Sequence, residues 1–342
     1  MSNPIKLLGL MSFMLLTQAQ AADLSGVKNY LLGNVKTQVA GTAQLQAAAD
    51  AYYELARSKG FDYARVAKDP RTLGLLQQAR IGWKKASPAY ENVEGIVAGV
   101  ESLSEFDLIL DAGVAGSEGG EDTVPFDLTL PNGKVLRRPG NLFGVTEGSL
   151  WGTEKAFSSR VPFDVNRNGQ LEFGELLPDA AVLKAAASKL HAESVRLQRA
   201  AQAWTPTRAD VFGALAGNVP TVGPVFFEDW KTSRFILGDA ANRRDFMVIS
   251  RLSDLSGNIS SWQAMYRGLS PDVRAKDPQL DAQISAGLND LAAFVRRLVS
   301  REAQRRYTPE QAAALQREAQ NRATAITGKI TQAAALLGTP LQ

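Results

Sequence analysis

The chain has 342 residues, of which 45% are hydrophobic and 21% charged, and its net charge is +3. This composition is that of an ordinary globular protein, with enough residues for one large or two medium domains. Basic residues are spread along the chain without a run interleaved with aromatic residues, so we expect no nucleic-acid partner. Cysteine is absent and His191 is the one histidine, which excludes disulfides and zinc peptidase sites that need two histidines on one helix. We expect His191 to be a surface or boundary residue of a helix.

The first 21 residues have the pattern of a secretory signal peptide. Lys6 supplies the positive charge, residues 7–16 are apolar, and Ala19 and Ala21 form a small-x-small cleavage site. The mature protein is therefore expected to begin near Ala22 and to be periplasmic. The apolar stretch is too short to span a bilayer, and no later segment reaches the required length of about twenty residues. We expect no transmembrane segment in the mature chain.

Apolar residues recur at three- and four-residue steps through most of the chain, which is typical of amphipathic helices. We predict helices near 25–40, 43–59, 71–85, 88–104, 181–203, 207–215, 243–267, 280–298 and 309–337. The last has a capping box, in which Thr308 precedes Pro309 and Gln311. The predicted fold class is all-α, with two antiparallel helical-bundle units at 22–160 and 179–342.

The segment 112–140 interrupts the helical pattern. Several glycines form an irregular loop, after which Phe126, Leu128 and Leu130 alternate with polar residues. A Pro-Asn-Gly turn at 131–133 then leads into a second short alternating run. This pattern predicts a small β-hairpin inserted into the first bundle.

The segment 164–175 fits the twelve-residue pattern of an EF-hand calcium loop. Calcium takes six to eight oxygen ligands, and such loops supply them from alternate positions of a turning chain. The glycine at the sixth position, Gly169, permits the sharp turn, and Leu171 is expected to pack inward. The predicted calcium ligands are Asp164, Asn166, Asn168, Gln170 through its carbonyl, Glu172 and Glu175.

Prolines flank this predicted loop within the segment 161–178. Pro162 and Pro178 prevent regular helices from running straight into and out of it. A calcium sensor needs paired helices that reorient on binding. We therefore expect a structural Ca²⁺ that clamps the junction between the two helical units.

Two further segments carry a family resemblance. Segment 83–94 contains Trp83, Tyr90 and Glu91, and segment 142–152 ends in Leu-Trp-Gly. Together they resemble the imelysin-like family, which includes relatives of an insulin-cleaving membrane peptidase and EfeO/EfeM-type periplasmic iron-uptake proteins. In that family a Trp–small–Tyr–Glu segment precedes Gly-x-His-x-x-Glu and Leu-Trp-Gly, which places the motif glutamate on Glu147. Residues 261–271 and the helix at 280–298 resemble the C-terminal bundle of the EfeO/EfeM branch.

This chain departs from the family motif at the metal-binding histidine, which is replaced by Gly144. A transition-metal site that depends on that imidazole is therefore compromised. Carboxylates remain, and a cluster of them can hold a hard ion such as Fe³⁺ or Mg²⁺. The candidates for a second site, with iron or another metal, are Glu94, Glu101 and Glu147, with Asp107 and Asp111 nearby. Glu94 and Glu101 are seven residues apart and would share a helix face; the alternative is that these are solvated helix charges.

Three functions stay open at this point. The resemblance implies a non-enzymatic periplasmic protein associated with iron uptake, with metal ions as its partners. The alternatives are a metallopeptidase of the imelysin type and an interaction module that docks to an envelope protein. A buried acidic cluster around Glu147 would favour metal handling, whereas a large exposed apolar patch would favour docking.

Overall fold

The structure is a computed structural model that describes residues 23–241 and 246–341. The predicted signal peptide at 1–21 lies outside the described residues. In chain order the helices are α1 (Ser25–Ser58), α2 (Tyr63–Ala67), α3 (Arg71–Val97), α4 (Ser104–Asp107), α5 (Leu142–Leu150), α6 (Ala180–Ala203), α7 (Arg208–Asn218), α8 (Glu228–Thr232), α9 (Arg234–Leu237), α10 (Arg251–Lys276), α11 (Pro278–Glu302) and α12 (Pro309–Leu336). The strands are β1 (Leu128–Thr129), β2 (Val135–Leu136), β3 (Ser158–Pro162) and β4 (Leu176–Pro178). The predicted mostly α-helical fold is confirmed.

The long helices pack side by side through their apolar stripes. Helix α1 contacts α3 and α6, α10 contacts α3 and α11, and α12 contacts α11. The stripe predicted on α11 is buried along its whole length, from Leu280 to Leu298. The capping box of α12 is present, because Thr308 and Gln311 accept each other's backbone N–H groups. Periodicity and capping therefore predicted the C-terminal helices correctly.

The predicted helix bounds were wrong in three parts of the chain. The helices expected at 25–40 and 43–59 form the single helix α1, and those at 71–85 and 88–104 join into α3, with Pro88 inside it and its end at Val97. Close packing against α3 at Gly41 stabilises α1 as one continuous helix across the expected break. The helix expected at 243–267 runs instead over Arg251–Lys276, capped by the Ser250 hydroxyl, while residues 242–245 lie outside the described part.

The crossing of α1 and α3 depends on two glycines. A Cβ atom at Gly41 would lie 2.7 Å from the backbone nitrogen of Ala86, and one at Gly82 would lie 2.6 Å from that of Leu45. Since real Cβ atoms do not approach backbone atoms this closely, the two helices can touch only without side chains at these positions. This contact sets the position of the C-terminal half of α3.

Replacing Gly82 by alanine is expected to lower the free energy of unfolding by about 1–3 kcal/mol, because the added methyl would push α1 and α3 apart. Gly74→Ala in the same helix is the matched control, since nothing lies within 4 Å of its Cβ position. Removing the flexibility of Gly74 should stabilise α3 by about 0.5–1 kcal/mol. Urea denaturation of both variants measures the difference; equal stabilities would contradict the close-packing account.

The predicted hairpin insertion is confirmed. Strands β1 and β2 are antiparallel, with Leu128 opposite Leu136, and the turn contains Gly133 at a φ of +83°. Leu128 and Leu130 are buried against residues of α5 and α6, among them Val145 and Val182. The hairpin is thus attached to the bundle through one apolar face.

The main apolar core contains residues from every long helix, between Leu24 and Ala334. The division into units at 22–160 and 179–342 stays a prediction. Within the described ranges, no helix is long and apolar enough to cross a membrane.

Candidate metal centre

Three buried carboxylates meet where α3, α10 and the segment after α4 come together. Glu91 and Glu94 lie three residues apart on one face of α3, and Asp111 lies in the π-helical turn Leu108–Ala112. One oxygen atom from each of the three lies within 4.8 Å of the others. Gly257 of α10 allows the approach, because a Cβ there would be 3.0 Å from the carbonyl carbon of Glu91. We call Glu91, Glu94 and Asp111 the acidic triad.

Polar groups from α10 surround the acidic triad. The side-chain amide of Asn258 donates hydrogen bonds to Glu94 at 2.5 Å and to Glu91 at 3.4 Å. The Arg251 guanidinium donates to Asp254 at 3.1 Å and is ion-paired with Asp229 at 3.6 Å. The Asn258 contacts link the triad to a helix that is more than 160 positions away in the sequence.

Burial makes ionisation of these carboxyl groups unfavourable. Burial, together with the negative charges of Asp254 and Glu94, raises the pKa of Glu91 well above its usual range. Burial and Glu94 likewise raise the pKa of Asp111. Burial acts to lower the pKa of Arg251, but Asp254 and Glu91 beside it raise that pKa above its ordinary value. Without a bound cation, Glu91 and Asp111 therefore keep protons that free carboxyl groups would lose.

Two neighbouring acids extend this cluster. The Tyr90 hydroxyl donates a hydrogen bond to Asp107 at 2.6 Å, yet burial and Glu94 raise the pKa of Asp107 to about 7. Burial raises the pKa of Asp254 to about 6 against the opposing effect of Arg251. Both groups thus change their charge near neutral pH.

The metal-free protein is expected to lose stability as the pH rises from about 5 to about 7.5. Folding favours the protonated carboxyls, so their contribution is complete below the unfolded pKa of about 4 and is lost as the pH rises through the folded values of about 6 and 7 for Asp254 and Asp107. Burial lowers the pKa of His191, so this one group makes the protein more stable as the pH rises and opposes the effect of the carboxyls. Melting temperatures measured across this pH range in the presence of a chelator test the expected loss of stability. A steady rise in Tm with pH would contradict it.

A cavity of about 20 Å³ adjoins the triad. Glu91, Asp111, Asp254 and Glu147 line it with residues that include Trp83, Asn141 and Gly144. This volume is enough for one water molecule or one ion. Gly144, where the family motif has its histidine, therefore lies at the wall of this cavity.

Glu147 reaches the cavity from α5. One of its carboxylate oxygens accepts hydrogen bonds from the backbone nitrogens of Met247 and Val248, at 2.9 and 2.7 Å. The side chain of Trp83 donates to the Phe143 carbonyl and to the Thr146 hydroxyl, which holds α5 against α3. The motif glutamate is thus fixed beside the acidic residues of α3.

The structure brings together two of the three residues predicted for a second site. Glu94 belongs to the triad and Glu147 lines the adjoining cavity, but Glu101 is exposed. The expectation that Glu94 and Glu101 share a helix face was wrong, because α3 ends at Val97. Glu91 and Asp254 were missed as ligand candidates. Glu91 follows Tyr90 in the quoted Tyr–Glu motif and could have been found there, whereas Asp254 gave no local signal.

A larger cleft of about 1020 Å³ lies next to the small cavity. The two share the lining residues Asp111, Asn141, Gly144 and Phe246. Glu94 and Arg251 also face this cleft. The acidic triad therefore lies beside a space that is large enough for a small molecule.

The predicted calcium loop is folded on its own polar side chains. One oxygen of Asp164 accepts the Gly169 N–H at 2.7 Å, and the other accepts the Asn168 N–H at 3.1 Å. The Asn166 and Asn168 side chains each accept the backbone N–H two residues ahead. Glu175 is buried and accepts the N–H groups of Val165 and Glu172, at 3.0 and 2.8 Å. These hydrogen bonds turn the carboxylate and amide oxygens of both ends of the loop toward each other.

The flanks of the loop are strands rather than helices. Strands β3 and β4 pair antiparallel and end at Pro162 and Pro178. Arg80 of α3 ties the end of the loop to the bundle, because it donates to the carbonyl oxygens of Gly174 and of Leu150. The expectation that Leu171 packs inward was wrong, because Leu171 is 59% exposed.

His191 is half-buried on α6, in agreement with the prediction of a boundary residue. Its Nδ1 atom lies 3.0 Å from the hydroxyl oxygen of Thr42 on α1. In the part of the chain that the structure describes, the set of residues spaced as metal ligands consists of carboxylates and includes no histidine. The candidate centre therefore offers oxygen ligands alone.

The fold and the cluster define a helical-bundle protein with a buried acidic centre between its helices. The sequence matches the profile of the imelysin family, peptidase family M75, over residues 28–332. The chain therefore belongs to the imelysin family, and the predicted resemblance is confirmed.

Solved structures extend this comparison. The fold is similar to that of an iron-regulated protein A precursor from Parabacteroides distasonis, with a TM-score of 0.53 and 14% sequence identity. The likeness covers 93% of this chain and 97% of that chain, and at this identity it concerns the fold alone. A search of curated proteins found no match to this sequence.

Proposed function

We propose that this chain is an exported, periplasmic metal-handling protein of the imelysin family that serves iron uptake without being an enzyme. The acidic triad of Glu91, Glu94 and Asp111 is the observation that carries the proposal. Three carboxylates buried within 4.8 Å of one another repel each other, and a bound cation removes that repulsion. The iron-regulated neighbour supports iron as the metal handled.

The residues at the centre fit a hard cation. Their ligand atoms are carboxylate oxygens, which suit Fe³⁺, Mg²⁺ or Mn²⁺ better than a soft metal. The adjoining cavity has room for one ion or water, and Asn258 orients the two glutamates of the triad. Binding of the metal would release the protons that burial holds on Glu91 and Asp111. Replacement of the motif histidine by Gly144 leaves this oxygen-only set as the route to metal binding.

The proposal includes one structural Ca²⁺ at 164–175, with Asp164, Asn166, Asn168, the Gln170 carbonyl, Glu172 and Glu175 as ligands. Glu175 is already buried and oriented by backbone N–H groups. Arg80 connects the adjoining Gly174 to α3, and α3 carries two residues of the acidic triad. The calcium ion therefore serves as a clamp between the strand pair and the bundle.

Elemental analysis of the mature protein, purified from periplasm without chelators and dialysed, tests the proposal. We expect about one calcium and one iron or other hard metal per chain, and an N-terminus near Ala22. A chain that retains no iron after reconstitution with a ferric salt would contradict the metal-handling function. An N-terminus at Met1 in the cytosolic fraction would contradict export.

The metallopeptidase reading is the second candidate, because the family is also a peptidase family. A peptidase needs an open metal position with a general base beside it, and Glu147 lines the cavity where a base would lie. A broad peptidase assay with and without added metals separates the two. Activity that persists through purification and disappears in Glu147→Gln would favour the enzyme.

The third candidate function is docking to an envelope protein. Co-purification of one partner protein at equal stoichiometry would favour it.

A further inference from the structure

The cleft beside the acidic triad is far larger than a metal ion requires. It encloses about 1020 Å³, whereas the cavity that suits one ion measures about 20 Å³. Clefts of several hundred Å³ and more are the size that small organic ligands occupy. The metal centre is therefore placed to receive a molecule that carries the metal.

A buried guanidinium faces this cleft. The Arg251 side chain is 5% exposed and is held between the rings of Phe246 and Phe226, whose centroids lie 4.0 and 4.6 Å from its central carbon. Within the described residues its Nε atom makes no hydrogen bond, and the Asp229 carboxylate with which it is ion-paired lies 3.6 Å away, beyond hydrogen-bond distance. A buried N–H group with no acceptor at hydrogen-bond distance is costly, so a ligand oxygen at this position would be favourable. Carboxylates and phosphates are the groups that guanidinium donors bind best.

A second arginine, Arg138, lines the same cleft. Its backbone has a φ of +40°, which is uncommon for a residue with a side chain. Two hydrogen bonds hold it there: its N–H donates to Asp127 at 3.0 Å, and its carbonyl accepts the Gly116 N–H at 2.8 Å. The cleft is thus lined by the cationic side chains of Arg251 and Arg138 and by the carboxylates of Glu94 and Asp111 from the triad. Glu118, Glu154 and Asp229 also lie at its wall.

We propose that the cleft binds the metal as a complex with a small polyanionic oxygen chelator. The metal of the complex lies against Glu94 and Asp111, and the chelator's anionic oxygens accept hydrogen bonds from Arg251 and Arg138. The chelator alone would be repelled by the acidic triad, whereas its metal complex satisfies both ends of the cleft. This inference rests on the proposed metal centre and adds the chemical class of its cargo.

Co-retention of iron and radiolabelled citrate after gel filtration tests the proposal. We expect one iron and one citrate per chain with ferric citrate, and no retention of citrate alone. Ferric pyrophosphate is the second arm. If both citrate and pyrophosphate are retained together with iron, the site binds oxyanion chelators in general. If citrate but not pyrophosphate is retained together with iron, the site binds polycarboxylates.

Arg138→Gln is the diagnostic variant because the Arg138 side chain is exposed and its backbone hydrogen bonds are unchanged by the substitution. We expect it to weaken ferric citrate binding by about tenfold, as for the loss of one charge-assisted hydrogen bond. Binding of Mn²⁺ alone, measured by calorimetry, should stay within about twofold. Arg251→Gln should lose citrate more completely if it folds, and Arg65→Gln, an exposed charge on α2, is the matched control.

If the chain took iron from ferric citrate and ferric pyrophosphate and retained it without either anion, this inference would be overturned and the metal centre would stand. Citrate bound equally well with and without iron would also overturn it. Failure to bind both iron and Mn²⁺ would instead contradict the proposed function itself.

Discussion

The double variant Glu94→Gln, Asp111→Asn is expected to bind iron at least 100-fold more weakly than the wild type and yet to be more stable without metal at pH 7.5. Both substitutions keep the shape of the side chain, but each replaces one carboxyl oxygen by an NH₂ group, and together they leave two of the three acidic residues unable to bind a cation as anions. Metal affinity falls because a hard cation loses two of its anionic ligands. Stability rises because a buried carboxyl with a raised pKa is replaced by a neutral group.

The opposite signs of these two effects make the experiment decisive. Removing buried acids that must hold a proton at pH 7.5 is worth about 1–4 kcal/mol, or several degrees in Tm for a chain of this size. Iron retention and Tm in chelator are the two measurements. Glu101→Gln is the matched control, since Glu101 is exposed and lies beyond the end of α3; neither property should change. A double variant that retains iron as the wild type does would remove the acidic triad from consideration as the metal centre.

Calcium is expected to raise the Tm of the wild-type protein, and Glu175→Gln is expected to abolish that rise. Loops of this type outside cells bind calcium with a Kd of about 10⁻⁴–10⁻³ M. At about 10 mM calcium, mass action then gives a stabilisation of about 1.4–2.7 kcal/mol. Glu175 closes the predicted site with both oxygens, and the amide at its place offers one neutral oxygen. Scanning calorimetry with calcium and with chelator measures the shift.

Gln170→Ala is the matched control in the same loop. Position 170 is predicted to contribute its backbone carbonyl, so removing its exposed side chain should leave the calcium response unchanged. If Gln170→Ala and Glu175→Gln reduced the response equally, the proposed ligand roles would be wrong. If the wild-type Tm did not respond while calcium was bound, the clamp would be wrong.

Local pattern was enough to predict several elements. The apolar stripe from Leu280 to Leu298 defined α11, and the Thr308–Gln311 capping box defined the start of α12. The turn at Gly133 predicted the hairpin. Each of these features depends on interactions between residues a few positions apart, which the sequence displays directly. The calcium ligands were predicted in the same way, from spacing within twelve residues, and they stay a prediction.

Only the tertiary structure decided how the acidic centre is assembled. The sequence by itself determined the helices, the hairpin and the motif glutamate Glu147, because those depend on local spacing. The meeting of Glu91 with Asn258, more than 160 positions away, depends on the packing of α3 against α10. The exclusion of Glu101 depends on where α3 ends, at Val97. Contacts between distant segments follow from how the helix surfaces fit together, and no local pattern contains that information.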